Sequence, residues 1–417
     1  MKRITLITFL LFCQNLSGIQ YRKNTHEDWG FFAHRLLNRL AVFTLPEKMI
    51  DFYKANIDFL HEHAVDPDKR RYAIRGEAVR HYIDLDQWGI NAIDKLPKTY
   101  EEAITACSPM YYIHKEDTTL IFDTIALYDF KQTKLHYSNA FKTKFTVFQD
   151  EIKTHEITSW LRQNAMFVHD EREWIVKGSS LSLLNNDLDT LNGFIYIQDR
   201  FSSHGVLPYS LPSFYYRLVQ AFKEKNEEKI LRLSADIGHY IGDAHVPLHT
   251  TKNYNGQLTQ QDGIHAFWES RIPELLAESQ FDYVVGPAIY IEDMHKYVRS
   301  ILKKSHSYVD SVLLIEKRIS NEVPNDQQYC FESRLGQVVK LPCKSYAILY
   351  NNLLDNQVEE QFRNCILAIG SIWMSAWTEA GQPNLSQLNK DITYKEYNAV
   401  DSVRTGKDRL YIRTHDE

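Results

Sequence analysis

The stretch His239 to His249, HYIGDAHVPLH, gathers three imidazoles and a carboxylate into eleven residues of a chain that has 17 histidines in 417. On a helix His239 and Asp243 stand four apart, so both side chains leave one face a turn from each other. Pro247 prevents that helix from simply continuing, and His249 then arrives from a different direction. Sixteen residues on, GIHAFWESRIPE repeats the logic with His265 and Glu269, again four apart. Ligands approaching from two directions are what a metal ion of roughly tetrahedral demand requires, whereas a structural helix face gains nothing from them. Imidazole and carboxylate without cysteine suit zinc in a catalytic role, where water completes the shell.

Three weaker elements lie upstream: HYIDLD from His81 to Asp86, VDPDKRR with Asp66 and Asp68, and WGFFAH with His34. Alone, each has an ordinary reading, His34 as a core histidine and Asp66-Pro67-Asp68 as a turn or helix cap. Together, WGxxxH, D, HYID, HxxxDxxxxxH and HxxxE follow one another in an order that resembles the zinc-dependent phospholipase C and S1/P1 nuclease superfamily. The resemblance covers Trp29 to Asp86 and Leu207 to Glu274, with an echo in WMSAWTEAGQPNL. The interval from His81 to His239 is far longer than in compact members of that superfamily.

The resemblance implies a mostly helical protein that holds three zinc ions in a cleft. One zinc would take Asp66, His81, His239 and Asp243. A second would take His249, His265 and Glu269. The third would share Asp243 with His34 and with the amino group and carbonyl of Trp29. Asp66 is preferred to Asp68 because its fifteen-residue distance to His81 fits the nuclease-type frame. Zinc ions flanking Asp243 can hold a bridging water as hydroxide aimed at phosphorus, so the expected activity is phosphodiester hydrolysis with no serine or cysteine nucleophile. Asp243, Asp66 and Asp86 are the carboxylates expected to serve it; Asp84, Asp86 and His245, close to ligands in sequence, are expected to orient imidazoles.

Glu269 rather than aspartate at the last ligand resembles the bacterial phospholipase C branch. Phospholipase C-like hydrolysis therefore stands ahead of a single-strand nuclease or 3′-nucleotidase activity. Phe31, Phe32, Tyr82, Tyr254 and Phe267 sit beside ligands and could line a lipid headgroup pocket or stack on bases. A rival of another class is a non-catalytic binding protein that keeps a zinc scaffold for stability and uses the long interval for contacts.

The rest of the chain must position these residues. With 44% hydrophobic residues it can bury a sizeable core, and a net charge of −6 gives no electrostatic argument for a nucleic-acid groove. Apolar residues recur at helical spacing, as in Phe214, Leu218, Ala221 and Phe222, then Ile230, Leu233, Ile237 and Ile241, so the expected fold class is all-α. Expected helices run from Trp29 to Phe43, from about Pro212 to Asp243 with a break in Lys223 to Glu228, and from Gln357 to Ala380 with Trp373 and Trp377 facing the core. Residues 96–201 lose the long periodic runs and are expected to form an inserted lobe or substrate-side loops.

Residues 1–18 read as a secretory signal peptide, with Lys2 and Arg3 ahead of an apolar run and small residues at its end. A cut near Gly18 leaves Trp29 internal, with an amide where the superfamily has a free amine. No later run reaches about 18 apolar residues, so an exported protein without a membrane span is expected, with transient membrane-surface contact if the substrate is lipid. One helical zinc-binding catalytic domain is expected over 19–387 and a polar tail over 388–417. The four later cysteines allow three pairings; Cys330 with Cys343 would close a short loop.

Overall fold

The computed structural model describes residues 31–388 except 75, 125–127, 146, 148, 166–172, 184–191 and 335. The expected signal peptide, Trp29 and nearly all of the expected tail lie outside the described residues. The elements that matter for the site are α1 (Phe31–Ala41), α2 (Asp66–Arg70), α3 (Leu207–Glu224), α4 (Glu227–His245), α5 (Ile272–Gln280), α6 (Lys344–Leu353) and α7 (Gln357–Glu379). No helix of the described residues is long and apolar enough to cross a membrane.

Helix α4 packs against α1, α3 and α7. The Asn226 side chain caps its N-terminus by accepting from the Lys229 amide at 3.0 Å, and Glu227 and Glu228 sit where the helix dipole favours negative charge. Its C-terminus is fixed by Pro247, because the residue before a proline is pushed out of helical geometry: Val246 is extended at ψ 118°. A single 3₁₀ turn, Pro247–Thr250, then turns His249 back toward the helix. Pro212 does not start α3 as its position suggested; the helix begins at Leu207 and carries Pro212 inside it.

Two glycines one turn apart set the approach of α1 to α4. A Cβ on Gly238 would lie 2.0 Å from Asn38 Oδ1, and one on Gly242 would lie 2.7 Å from His34 Nδ1. Bare backbone there lets His34 and Asn38, themselves one turn apart, sit directly on α4. On the other side Trp373 of α7 donates its indole N–H to the Ser234 carbonyl at 3.1 Å and stacks on Tyr53, with ring centroids 5.0 Å apart.

The protein is mostly helical, but it is not all-α as expected. The inserted stretch carries a four-stranded antiparallel sheet in the order β2-β1-β6-β5, built from β1 (Met110–His114), β2 (Asp117–Leu120), β5 (Glu173–Lys177) and β6 (Phe194–Gln198); β3 (Lys134–His136) and β4 (Glu151–Lys153) form a separate pair. MYYIH, EWIVK and FIYIQ are aromatic and β-branched runs, and along β6 burial alternates with Ile195 and Ile197 inward. Their short period of two is hidden among Thr, Asp and Lys. The lobe is closed at its neck by backbone hydrogen bonds: Asp84 N–H to His204 O at 2.7 Å, Val206 N–H to Val79 O at 2.7 Å and Leu207 N–H to Tyr82 O at 3.2 Å.

A second hairpin, β7 (Tyr329–Arg334) with β8 (Gln337–Pro342), is closed at its base by a disulfide between Cys330 and Cys343. Cys107 and Cys365 are free and buried.

Candidate metal centre

Among the described residues, three groups of donor atoms that could hold a metal ion come together: His34, His239 and Asp243; Asp68, His81 and His239; His249, His265 and Glu269. Five imidazoles and three carboxylates thus converge from α1, α2, the turn ending at His81, α4, the 3₁₀ turn after it, and the helix that starts at Ile264. That last helix switches at Phe267–Arg271 to a π turn, a rare wide turn that recurs at functional sites. His265 lies just before it and Glu269 within it.

Asp243 stands between the groups. Its Oδ2 is 2.9 Å from His81 Nδ1 and 3.4 Å from His239 Nε2, whereas its Oδ1 is 3.6 Å from His34 Nε2 and 3.8 Å from His249 Nε2. Glu269 is divided in the same way: Oε2 faces His265 at 2.6 Å and His249 at 3.3 Å, and Oε1 faces His34 at 3.3 Å. Asp68 Oδ1 is 3.7 Å from both His81 Nδ1 and His239 Nε2. The rings of His34 and His239 stack with centroids 4.0 Å apart.

Tautomers follow from backbone acceptors. His239 Nδ1 is 2.9 Å from the Ala64 carbonyl and His249 Nδ1 is 2.6 Å from the His81 carbonyl. A carbonyl only accepts, so both Nδ1 atoms carry the proton and both Nε2 lone pairs point inward at carboxylates. Burial holds the His249 imidazole down at about 4 and His239 well below its ordinary value, so no second proton relieves these lone-pair contacts at neutral pH. Burial, followed by the charges of Asp68 and Glu269, pushes Asp243 well above the usual carboxylate range. Among the described residues, the nearly fully buried Arg71 approaches Asp68 at 3.5 Å and sets one cation against three carboxylates. Cations among these atoms satisfy lone pairs and carboxylates at once, so the donor set fits metal ions.

Of the residues the sequence singled out, the structure brings together His34, His81, His239, Asp243, His249, His265 and Glu269. It does not bring Asp66. That carboxylate faces His63 Nδ1 at 2.6 Å and Lys69 at 3.3 Å, and lines a cleft with Arg70, Arg80 and Asp236 that contains none of the clustered residues. Its place is taken by Asp68, because two residues on one helical turn point about 200° apart and only one can face α4. Spacing to His81 does not register which. Asp68→Asn is accordingly expected to cost metal content in the purified protein, measured by elemental analysis, with Asp66→Asn left at the wild-type value.

Asp86 is also outside the cluster. It accepts from the Thr251 hydroxyl at 2.9 Å and the Lys252 amide at 3.0 Å, pinning the chain that leaves His249. Asp84 pairs with His204 at 3.4 Å, and the His245 imidazole bonds the Ile241 carbonyl at 2.7 Å. Backbone carbonyls orient His239 and His249, and such acceptors have no sequence signature. Gln361 is a further residue that sequence reasoning missed. Its amide donates to the His245 carbonyl and, at 3.0 Å, to Ser305, and it lines a small void with His34, Gly242, Glu269 and Cys365. Of the aromatics beside ligands, Phe31, Tyr82 and Phe267 are buried as core, while Tyr254 approaches His265 at 6.1 Å between ring centroids.

No protein-family model matches the chain, and no curated protein and no solved structure matches it.

Proposed function

We propose that the protein is an exported zinc-dependent phosphodiesterase of the phospholipase C and S1/P1 nuclease type, with phospholipase C-like hydrolysis ahead of single-strand nuclease or 3′-nucleotidase activity. The observation that carries this reading is Asp243, whose two oxygens face two different pairs of inward-pointing imidazoles. Nitrogen and carboxylate donors without thiolate, in three adjoining groups, favour zinc. Zinc supplies Lewis acidity toward a phosphoryl oxygen and a nucleophile at neutral pH. His239 and His249, oriented by Ala64 and His81, would hold it through Nε2. Asp68 and Glu269, the more exposed clustered side chains at 21% and 11%, mark the edge a substrate would approach. The Cys330–Cys343 disulfide favours an oxidising compartment and so supports export.

One observation favours the non-catalytic alternative: His81, His239 and Asp243 are at most 1% exposed, as in a stabilising site. Hydrolysis by the zinc-loaded mature chain, compared on phosphatidylcholine micelles and a single-stranded oligonucleotide at matched phosphodiester concentration, separates the readings. EDTA-sensitive cleavage with preference for the phospholipid is the expected result. Preference for the oligonucleotide moves the assignment to the nuclease branch. Zinc retention without cleavage of either assigns the scaffold role.

A further inference from the structure

The π turn that carries Glu269 is gripped from both sides by elements that share one covalent bond. On one side Arg271, two residues after Glu269 and 3% exposed, reaches into the second hairpin. Its Nε donates to the Pro342 carbonyl at 3.0 Å, its Nη1 approaches Glu332 and Glu274 at 3.3 Å each, and its Nη2 also bonds Glu332. Arg334 closes the network by approaching Glu274 and Glu332 at 2.9 Å each. On the other side Phe267 stacks on Tyr346 of α6, with centroids 5.5 Å apart, and lies tilted against Tyr350 at 4.9 Å. Cys343 is the residue that caps α6, and its partner Cys330 lies in β7.

Beyond its six-pair ladder and the contact of Lys340 with the Tyr329 ring, the outer face of the hairpin is open. Phe331 and Val338 on its outer face are 74% and 72% exposed, and a lone two-stranded hairpin is marginal in water. A disulfide across its base restricts the open conformations and keeps Glu332 and the Pro342 carbonyl where Arg271 can reach them. A guanidinium fork bonded to both in turn fixes the π turn, and with it the direction in which the Glu269 carboxylate leaves the helix.

We infer that Arg271 and the disulfide-closed hairpin are a positioning clamp for Glu269, so that metal retention by His249, His265 and Glu269 depends on the Cys330–Cys343 bond. The inference rests on the metal reading above. Arg271 is a positioning residue, since it touches no donor atom of the cluster directly.

The test is a cobalt titration of the metal-free mature chain, followed by visible absorption, for wild type, Arg271→Met and the Cys330→Ser/Cys343→Ser pair, with thermal unfolding of each metal-free protein alongside. Arg334 still neutralises Glu274 and Glu332 when Arg271 is methionine. The expected result is one cobalt equivalent weakened by at least about 10-fold in both variants, the scale of losing an outer partner of a ligand, with the remaining equivalents unchanged. Wild-type titrations in both variants would overturn the clamp while leaving the metal reading standing. A wild-type chain that takes up no cobalt or zinc would overturn both. If a variant does not fold, folded wild type reduced with a phosphine, alkylated and desalted gives the same comparison: loss of one equivalent supports the clamp and full retention overturns it.

Discussion

Asp243→Asn is expected to lower hydrolysis of the preferred substrate by more than about 100-fold, beyond the usual effect of removing an outer partner of a metal ligand. Asparagine keeps the volume but offers one oxygen where the site uses two. Its amide nitrogen would meet an imidazole pair whichever way it turned, and the charge between the groups would be gone. The accompanying stability change has an unusual sign. Burial and the carboxylates of Asp68 and Glu269 already push Asp243 up, so its charge is costly in the metal-free fold above the ordinary carboxylate range. Metal-free Asp243→Asn should therefore be at least as stable as metal-free wild type at pH 7. The stabilisation gained on adding zinc should fall instead, by about 2.7 kcal/mol for a 100-fold weaker affinity with zinc in excess. Thermal unfolding with and without zinc, beside the rate measurement, checks both parts. Activity within tenfold of wild type would remove Asp243 from the centre of the chemistry, and collapse of the metal-free variant would make it a structural residue.

Gly242→Ala is the second large effect. Alanine in a helix interior gains about 1 kcal/mol over glycine, whereas forcing a methyl into a packed contact costs roughly 1–3 kcal/mol, so the net change is a modest loss. The functional change should be larger than that. The new Cβ would meet His34 Nδ1 at 2.7 Å and Cε1 at 2.9 Å, and the stacked ring of His239 blocks retreat in one direction. His34 Nε2 must then leave its position between Asp243 and Glu269. At least about a tenfold loss of affinity for one metal equivalent is expected, read by titration of the metal-free protein. Gly370→Ala is the matching control: its Cβ would lie 1.8 Å from Thr44 Oγ1, at the α7 contact and away from the cluster. It should cost stability and keep the full metal content. Equal metal affinity in wild type and Gly242→Ala would mean that His34 is not a ligand.

The parts of the site that were legible in the sequence are those written in backbone periodicity. His239 with Asp243 and His265 with Glu269 follow from a repeat of four on a helix, and the return of His249 follows from Pro247. The long helices were equally readable, and the break expected between Lys223 and Glu228 falls at Lys225 and Asn226. What was not legible depends on rotation, backbone or distant partners. The choice between Asp66 and Asp68 is a question of which way a single turn faces. The carbonyls of Ala64 and His81 are common to every residue type. Asp86 has the same neighbours in sequence whether it meets an imidazole or, as here, Thr251 and Lys252. The strands of the lobe are too short, at three to five residues each, for their alternation to stand out beside eighteen-residue helices.

The closed neck of that lobe has a consequence for how such a chain diverges. Entry and exit are tied by hydrogen bonds from Asp84 to His204 and from Val206 to Val79, and Ile83 N–H also bonds the His249 carbonyl at 3.0 Å. These ties hold the two ends of the segment together beside His81 and His249, and Asp86, just inside the entry, adds its grip on Thr251 and Lys252. Insertions, losses or exchange within the strand-bearing part, Met110 to Gln198, leave those ties in place, provided the two ends still meet. Selection can rework the lobe at the pace of a surface while holding the cluster at the pace of a core, and lineages sharing one chemistry can part company there in what they recognise.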